Sequence, residues 1–348
     1  MHWKRGVRWF DLAVPARVVE AACCVVPIEE VVCVTRLQQV LFELDGQYLG
    51  HPYFVTGNAL FNTIARRVDE QVARALNVSH GVFVPGEYGE YPDSTSKNGY
   101  AGKLGQSLPE VESYADLFVF RDPAHRWLLD SRPRDAHNTH PLQIHGDRVA
   151  FDSTCWFGRP EEMRDHRRSV SWYLHCYLHV QPGDDVLPLS EGVLDGVRVG
   201  GARNYGFGEL SVAEMQVVDV EALDCSRLEA AQGSDEPCWV ELVTPYVLET
   251  EHPCGDDQSI PWWWGVDDES ELRCREARFV DGDETYAVTV VDHGQLVPYA
   301  GPDPVGTAVN GVSRVGTHSK FGFGELRVWP PGADRVPERV EGEGGDAA

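Results

Sequence analysis

One stretch of this chain is written twice. Residues 199–212 read V-G-G-A-R-N-Y-G-F-G-E-L-S-V and residues 315–328 read V-G-T-H-S-K-F-G-F-G-E-L-R-V. At a single offset of 116 residues, Val199/Val315, Gly200/Gly316, Gly206/Gly322, Phe207/Phe323, Gly208/Gly324, Glu209/Glu325, Leu210/Leu326 and Val212/Val328 are identical, and Tyr205 answers Phe321. A glycine-aromatic-glycine loop that twice runs into an alternating E-L-x-V strand start implies two related halves. Each half carries such a loop before its last strand.

The surrounding pattern fits that division. A chain of 348 residues is long enough for two cores. Residues 30–44 are rich in β-branched and apolar positions and predict a long strand. Leu60, Phe61, Ile64, Val68, Val72 and Leu76 fall on one face of a single predicted helix, with Thr56 or Asn58 as its cap. Further strands are expected at Tyr114–Arg121, 170–181, Cys238–Glu249 and 323–329. Residues 275–291 and 295–299 read as a strand pair around Asp292-His293-Gly294, and short helices precede each glycine loop. Strand, helix, strand, strand, short helix, glycine loop, strand is the order of a split βαβ unit. The expected fold is therefore α+β, two tandem ferredoxin-like (RRM-like) domains with antiparallel sheets, the second lacking its first helix. Residues 1–224 would form the first domain with insertions, 225–237 a linker, 238–330 the second domain and 331–348 a disordered tail. Helices on one face of an open sheet would leave its other face free to bind. Trp262-Trp263-Trp264 is expected in core or inter-domain packing.

Charge narrows the function. Fifty-five acidic residues stand against 30 basic ones, a net charge of -25, and only four lysines occur. Carboxylates spread along a whole chain keep it hydrated in concentrated salt, the composition of a halophile, and archaea with molar cytoplasmic salt are the expected source. Nine cysteines at irregular spacing, without a C-x-x-C pair, imply reduced thiols in the cytoplasm. No apolar run reaches the eighteen or so residues of a membrane span.

The two loops escape the acidic bias. Val305–Gly324 contains no carboxylate where about three are expected, and it holds Arg314, His318 and Lys320. Gly196–Gly208 has none either and contains Arg198 and Arg203. Glycines leave backbone N–H groups free to converge on an anion, and the phosphates of a nucleic-acid strand are such anions. The candidate RNA-binding set is Arg198, Gly200, Gly201, Arg203, Asn204, Tyr205, Gly206, Phe207 and Gly208 with Arg314, Gly316, His318, Ser319, Lys320, Phe321, Gly322, Phe323 and Gly324. In high salt, stacking on Tyr205, Phe207, Phe321 or Phe323 would carry much of the binding.

These loops, on paired ferredoxin-like units, resemble the RAMP superfamily of CRISPR-associated RNA-binding proteins. P52-Y-F-V-T-G-N-A-L-F-N-T-I-A-R66 is similar to the P-x-I-P-G-S-S-L-K-G-A-L-R segment of type III backbone subunits, although Phe61 and Asn62 stand where that segment has its lysine. H140-P-L-Q-I with F-D-S-T-C-W-F157 echoes a second segment of the same subunits. The resemblance implies a subunit of a ribonucleoprotein defence complex that holds guide RNA beside other RAMP-type subunits, with Asn58 added to the RNA-binding set and no cofactor. The alternative within the same family is a metal-independent endoribonuclease with a histidine general base, His51 or His80. Asp45 occupies the region where some backbone subunits carry a metal-dependent catalytic acid, yet Asp45-Gly46 is also a plain turn. A third alternative is a structural partner whose loops only pack. His137, His140, His145, His166, His175, Cys176 and His179 match no standard zinc spacing, so no metal is expected.

Overall fold

A computed structural model describes residues 35–51, 53–86, 107–121, 171–180, 184–234, 236–266, 272–281 and 284–333. All lie within the compact unit Val34–Ala348. The N-terminal 34 residues, His125, His137, His140, His145, His166, the 140–157 segment and the C-terminal tail from 334 lie outside the described residues.

Strand β1 (Arg36–Asp45) is the centre of the first sheet, and every residue from Leu37 to Phe42 is buried. After it come β2 (Phe54–Val55), α1 (Gly57–Ala65), α2 (Glu70–Ala75), β3 (Asn77–Val78), β4 (Gly81–Pro85), β5 (Trp172–His179), α3 (Glu191–Leu194), β6 (Val197–Arg198) and β7 (Glu209–Asp219). Their order across the sheet is β2-β4-β5-β1-β7-β6, with β3 also on β5. The connection from β1 through α1 to β4 skips over β5, which lies between them and pairs antiparallel with both. Fold class is thus mixed α+β with antiparallel sheets.

The predicted single helix is two. Thr56 caps α1, its Oγ1 accepting the Ala59 N–H at 3.3 Å, and Leu60 and Ile64 are fully buried. A tight turn then closes α1, the Arg67 N–H donating to the Ile64 carbonyl, and Asp69 is the extended residue before α2. Apolar spacing runs through the break because both helices turn the same face to the core, so periodicity cannot detect it.

The second half brings α4 (Ser226–Glu229), β8 (Trp239–Leu242), β9 (Tyr246–Thr250), β10 (Cys274–Asp281), β11 (Glu284–Val291), β12 (Leu296–Pro298), α5 (Pro304–Val312) and β13 (Leu326–Trp329). Within the expected linker, α4 buries Leu228. Sheet orders are β10-β11-β9 and β12-β8-β13. Three residues, Val243–Pro245, separate β8 from β9, while β11 and β12 run antiparallel beside them, so both sheets follow one bent pair of chain paths. Residues 275–291 form a hairpin by themselves, and 295–299 supplies β12 against β8, which corrects the predicted pairing around Asp292-His293-Gly294.

Two further expectations are overturned. Tyr114–Arg121 is a 3-10 helix, not a strand. The Asp116 carboxylate accepts from the N–H and hydroxyl of Ser113 at 2.8 Å and fixes its first turn. A short apolar run does not distinguish the two states. This helix also covers the sheet face opposite α1, which is therefore not free. Tyr177 donates to the Leu117 carbonyl, Gln216 donates to the Pro109 carbonyl at 2.8 Å, and Glu214 accepts the Leu108 N–H at 2.6 Å. Leu37, Tyr177 and Val218 of the first sheet share one core with Leu117, Phe118, Val240, Leu242, Leu326 and Val328. The tryptophan triplet divides: Trp264 is buried in that core and Trp262 is 74% exposed.

Candidate nucleic-acid interface

The two loops have the same backbone. Ala202 and His318 both have left-handed φ, at 55° and 60°, and each opens a single 3-10 turn, Arg203–Tyr205 and Ser319–Phe321. Gly206 and Gly322 follow at φ 88° and 91°, Gly208 and Gly324 at 67° and 76°. Val199 N–H donates to the Gly208 carbonyl at 2.9 Å, and Val315 N–H to that of Gly324 at 3.0 Å. A Cβ on Gly208 or Gly324 would stand 1.9 Å from the Val199 or Val315 carbonyl oxygen, so both positions require glycine. Each loop also rests on a tyrosine at the end of its half's first strand path: a Cβ on Gly200 would meet Tyr48 Cε2 at 2.7 Å, one on Gly316 Tyr246 Cε2 at 2.8 Å. These tyrosines are 198 positions apart. A search at offset 116 misses them because the first half carries a longer insertion.

The surroundings of the two loops differ completely. In the first, Arg203, Asn204, Tyr205 and Gly206 are exposed, and Phe207 is half-buried. Gly200, Gly201, Ala202, Arg203 and Asn204 line an open groove of about 540 Å³ together with Arg198, Thr63 of α1 and Arg66, the residue that caps the helix end. Three guanidiniums and no carboxylate line it. Arg198 is engaged by Glu209, its Nε 3.0 Å from the carboxylate oxygen, and donates to the Arg203 carbonyl at 3.3 Å. Among the described residues Arg66 and Arg203 make no ion pair. Thr63 and Arg66 were not singled out as ligands by sequence; both stood only within the 52–66 segment.

The second loop is an internal joint. Phe321 packs edge-on against Phe61 of α1 at 5.0 Å between ring centres, and Gly322 lies against His80. Lys320 Nζ sits 4.8 Å over the Phe61 ring and donates to the Arg74 carbonyl at 3.0 Å. Burial, then the nearby Arg74, lowers its pKa. Arg314 is buried, donating to the Ser319 carbonyl at 2.9 Å and approaching His179 Nδ1; burial draws its pKa down to about 10. His318 is buried, stacked on Phe279 at 4.5 Å and bonded to Thr250 Oγ1 at 2.9 Å, and burial with His252 beside it lowers its pKa to about 4. Phe323 is buried too, while Ser319 is half-buried. Asn58 is buried with its amide on the Val280 carbonyl and its oxygen accepting from Asn62. The absence of carboxylates from residues 305–324 thus coincides with burial between the halves.

The catalytic candidates separate in the same way. His80 is buried, its Nδ1 3.3 Å from the Gly57 N–H that it accepts, and desolvation followed by Arg121 lowers its pKa to about 3. Asp45 is exposed at the end of β1 beside Gly46, whose φ is 80°. His51 is exposed, its ring 4.3 Å from Phe54, and partial burial, then His293 and Arg275, lowers its pKa. His293 lies 6.3 Å from Phe54, and Asp292 bonds both His293 Nδ1 and Arg275 Nε at 2.9 Å. No pattern of spacing signals that Phe54 has both His51 and His293 as ring neighbours. His175 and His179 do share a face of β5, but both are buried, and His175 is wedged between Phe120 and Tyr177. Among the described residues no three His, Cys, Asp or Glu side chains form a metal-binding group, and five cysteines are free thiols.

No protein-family profile matches the chain, and no curated protein does. Among solved structures it is similar to a Cas6-related protein from Pyrococcus furiosus, with 8% identity and a TM-score of 0.34 over 85% of this chain and 98% of that one. No helix among the described residues is long and apolar enough to cross a membrane.

Proposed function

We propose that this chain is an RNA-binding protein of the CRISPR-associated RAMP type, two ferredoxin-like units in tandem, which holds the backbone of a guide RNA within a multi-subunit complex. The observation that carries the proposal is the first-loop groove: Arg66 and Arg203, neither ion-paired among the described residues, with Arg198 held by Glu209, around a glycine backbone in a chain of net charge -25. Phosphates satisfy that groove, and Tyr205 at its rim offers a stacking face for a base. The N–H groups of Gly201, Gly206 and Gly208 are already donated to the Leu49, Arg203 and Gln47 carbonyls, so stacking, rather than a nest of glycine amides, would keep the complex together where molar salt weakens charge attraction. The test is anisotropy of a labelled single-stranded RNA on the purified chain across a salt series. Arg203→Gln and Arg66→Gln should each weaken binding and flatten the salt slope by about 0.7 for every phosphate no longer neutralised. Unchanged binding in both variants would refute the groove as the site.

A second reading, RNA cleavage, is favoured by His51 and the Asp292-bonded His293 each lying near the Phe54 ring. Neutral His51 would take the 2′-hydroxyl proton as the 2′ oxygen attacks phosphorus. His293, held by Asp292, would protonate the departing 5′ oxygen, leaving a 2′,3′-cyclic phosphate and a 5′-hydroxyl. Incubation of a hairpin RNA with the chain in EDTA decides between holding and cutting. Cleavage lost in both His51→Ala and His293→Ala would establish the enzyme.

A further inference from the structure

The duplicated loops sit at opposite ends of one helix. At the start of α1, Gly57 lacks the Cβ that would stand 2.4 Å from the Phe321 carbonyl oxygen, so the second loop lies directly on the helix backbone. One turn on, Phe61 carries the Phe321 ring and the Lys320 ammonium, and Lys320 ties the last turn of α2 into the same joint. Asn58 adds a bond to the Val280 carbonyl of β10. The other end of α1, about 13 Å away for nine residues, presents Thr63 and Arg66 to the groove of the first loop. There Arg67 spreads its guanidinium over the carbonyls of Val193, Asp195 and Gly196, the segment that leads into β6 and the first loop. A short helix pinned at both ends transmits displacement of one end to the other, because close-packed interiors shift as rigid pieces.

We propose that the second loop positions the binding groove of the first: Lys320 and Phe321 seat α1 so that Arg66, at its C-terminal cap, lines the groove with Arg203. Phe321 and Lys320 are positioning residues, and neither touches the ligand. The inference rests on the groove being the anion site.

A double-mutant cycle on the full chain tests it, with a fluorescein-labelled 20-nucleotide oligouridylate as probe and thermal melts to verify folding. Phe321→Ala should weaken binding about tenfold, within the range of measured couplings between contacting residues. It should also flatten the salt slope as Arg66→Gln does, because fewer phosphates are neutralised, an effect that mere loosening of the fold does not produce. In the Arg66→Gln background the same substitution should cost less than twofold. If Phe321→Ala fails to fold, Phe321→Leu and Lys320→Met carry the same expectation at a few-fold. Wild-type affinity in the position 321 and 320 variants, with Arg66→Gln still weak, overturns this inference and leaves the groove as the binding site. Full additivity of the two substitutions also overturns it. A wild-type chain that binds no oligouridylate overturns both readings together.

Discussion

Arg121 and Glu325 meet at 2.8 Å with side chains only 2% and 1% exposed. The arginine comes from the 3-10 helix of the first half and the glutamate from the residue before β13, so their pairing fastens the halves in the protein's interior. Arg121 also donates to Ser79 Oγ at 2.8 Å and to the His80 carbonyl at 3.1 Å. Breaking one partner of such a pair strands the other charge out of water, at a cost of about 3–5 kcal/mol. Arg121→Met should therefore lower urea stability by that amount, and Arg121→Met with Glu325→Leu by less than the sum of the single losses. Additive losses would show that the two charges are not coupled.

Gly206 and Gly322 are equivalent in conformation but not in surroundings. A Cβ on Gly206 meets nothing within 4 Å, so Gly206→Ala costs only its left-handed backbone, about 1–2 kcal/mol. A Cβ on Gly322 would stand 2.3 Å from His80 Nδ1, and Gly322→Ala should cost clearly more. Denaturation midpoints of the two variants measure the difference directly; equal losses would contradict the buried joint.

His80 makes the fold acid-sensitive. Its pKa is about 3 folded against an ordinary 6.5, so the unfolded chain binds the extra proton and stability rises with pH between those values. Falling pH should thus remove roughly 1.4 kcal/mol per unit through this histidine below about pH 6.5. His175 and His179, lowered by burial, act in the same direction. His80→Asn should be less stable at neutral pH but lose less between pH 7 and pH 5. An identical pH dependence in variant and wild type would remove His80 from the account.

Trp264 and Trp262 provide an internal control for burial. Trp264→Ala removes a side chain 2% exposed that packs on Tyr246 and Trp263, and should cost about 3–5 kcal/mol. Trp262→Ala should stay within about 0.5 kcal/mol of wild type. Near-ultraviolet spectra during denaturation report both.

Much of the sheet was legible because β-branched runs, the turn at Asp45-Gly46 and the duplicated E-L-x-V start are local signals. So was the loop backbone, since Gly208 and Gly324 are needed for reasons contained within their own loops. What escaped the sequence was everything that depends on the partner surface. Arg314 and Lys320 look like nucleic-acid ligands in a one-dimensional charge map, yet one is buried beside His179 and the other lies on Phe61. An acid-free stretch is expected from a polyanion site and from a buried joint alike, and composition cannot separate them. Arg66 stood in the sequence only as the last residue of the 52–66 segment, and the fold is what brings it into one groove with Arg203. The break after Ala65 and the 3-10 helix at Tyr114 were missed because apolar spacing records which residues face a core, not the backbone path between them.

The core shared by Leu37, Tyr177, Leu117, Phe118, Val240 and Leu326 has a consequence for biosynthesis. When the first half leaves the ribosome, β1, β5 and the Tyr114 helix are present but the strands that close over them are not. Synthesis of the 105 residues from 225 through Trp329, the end of β13, takes roughly 5–21 s at ordinary elongation rates. For that interval Leu117, Phe118 and Val218 have no second-half surface to pack against. Final closure of this core thus waits for β13, the last strand to emerge among the described residues.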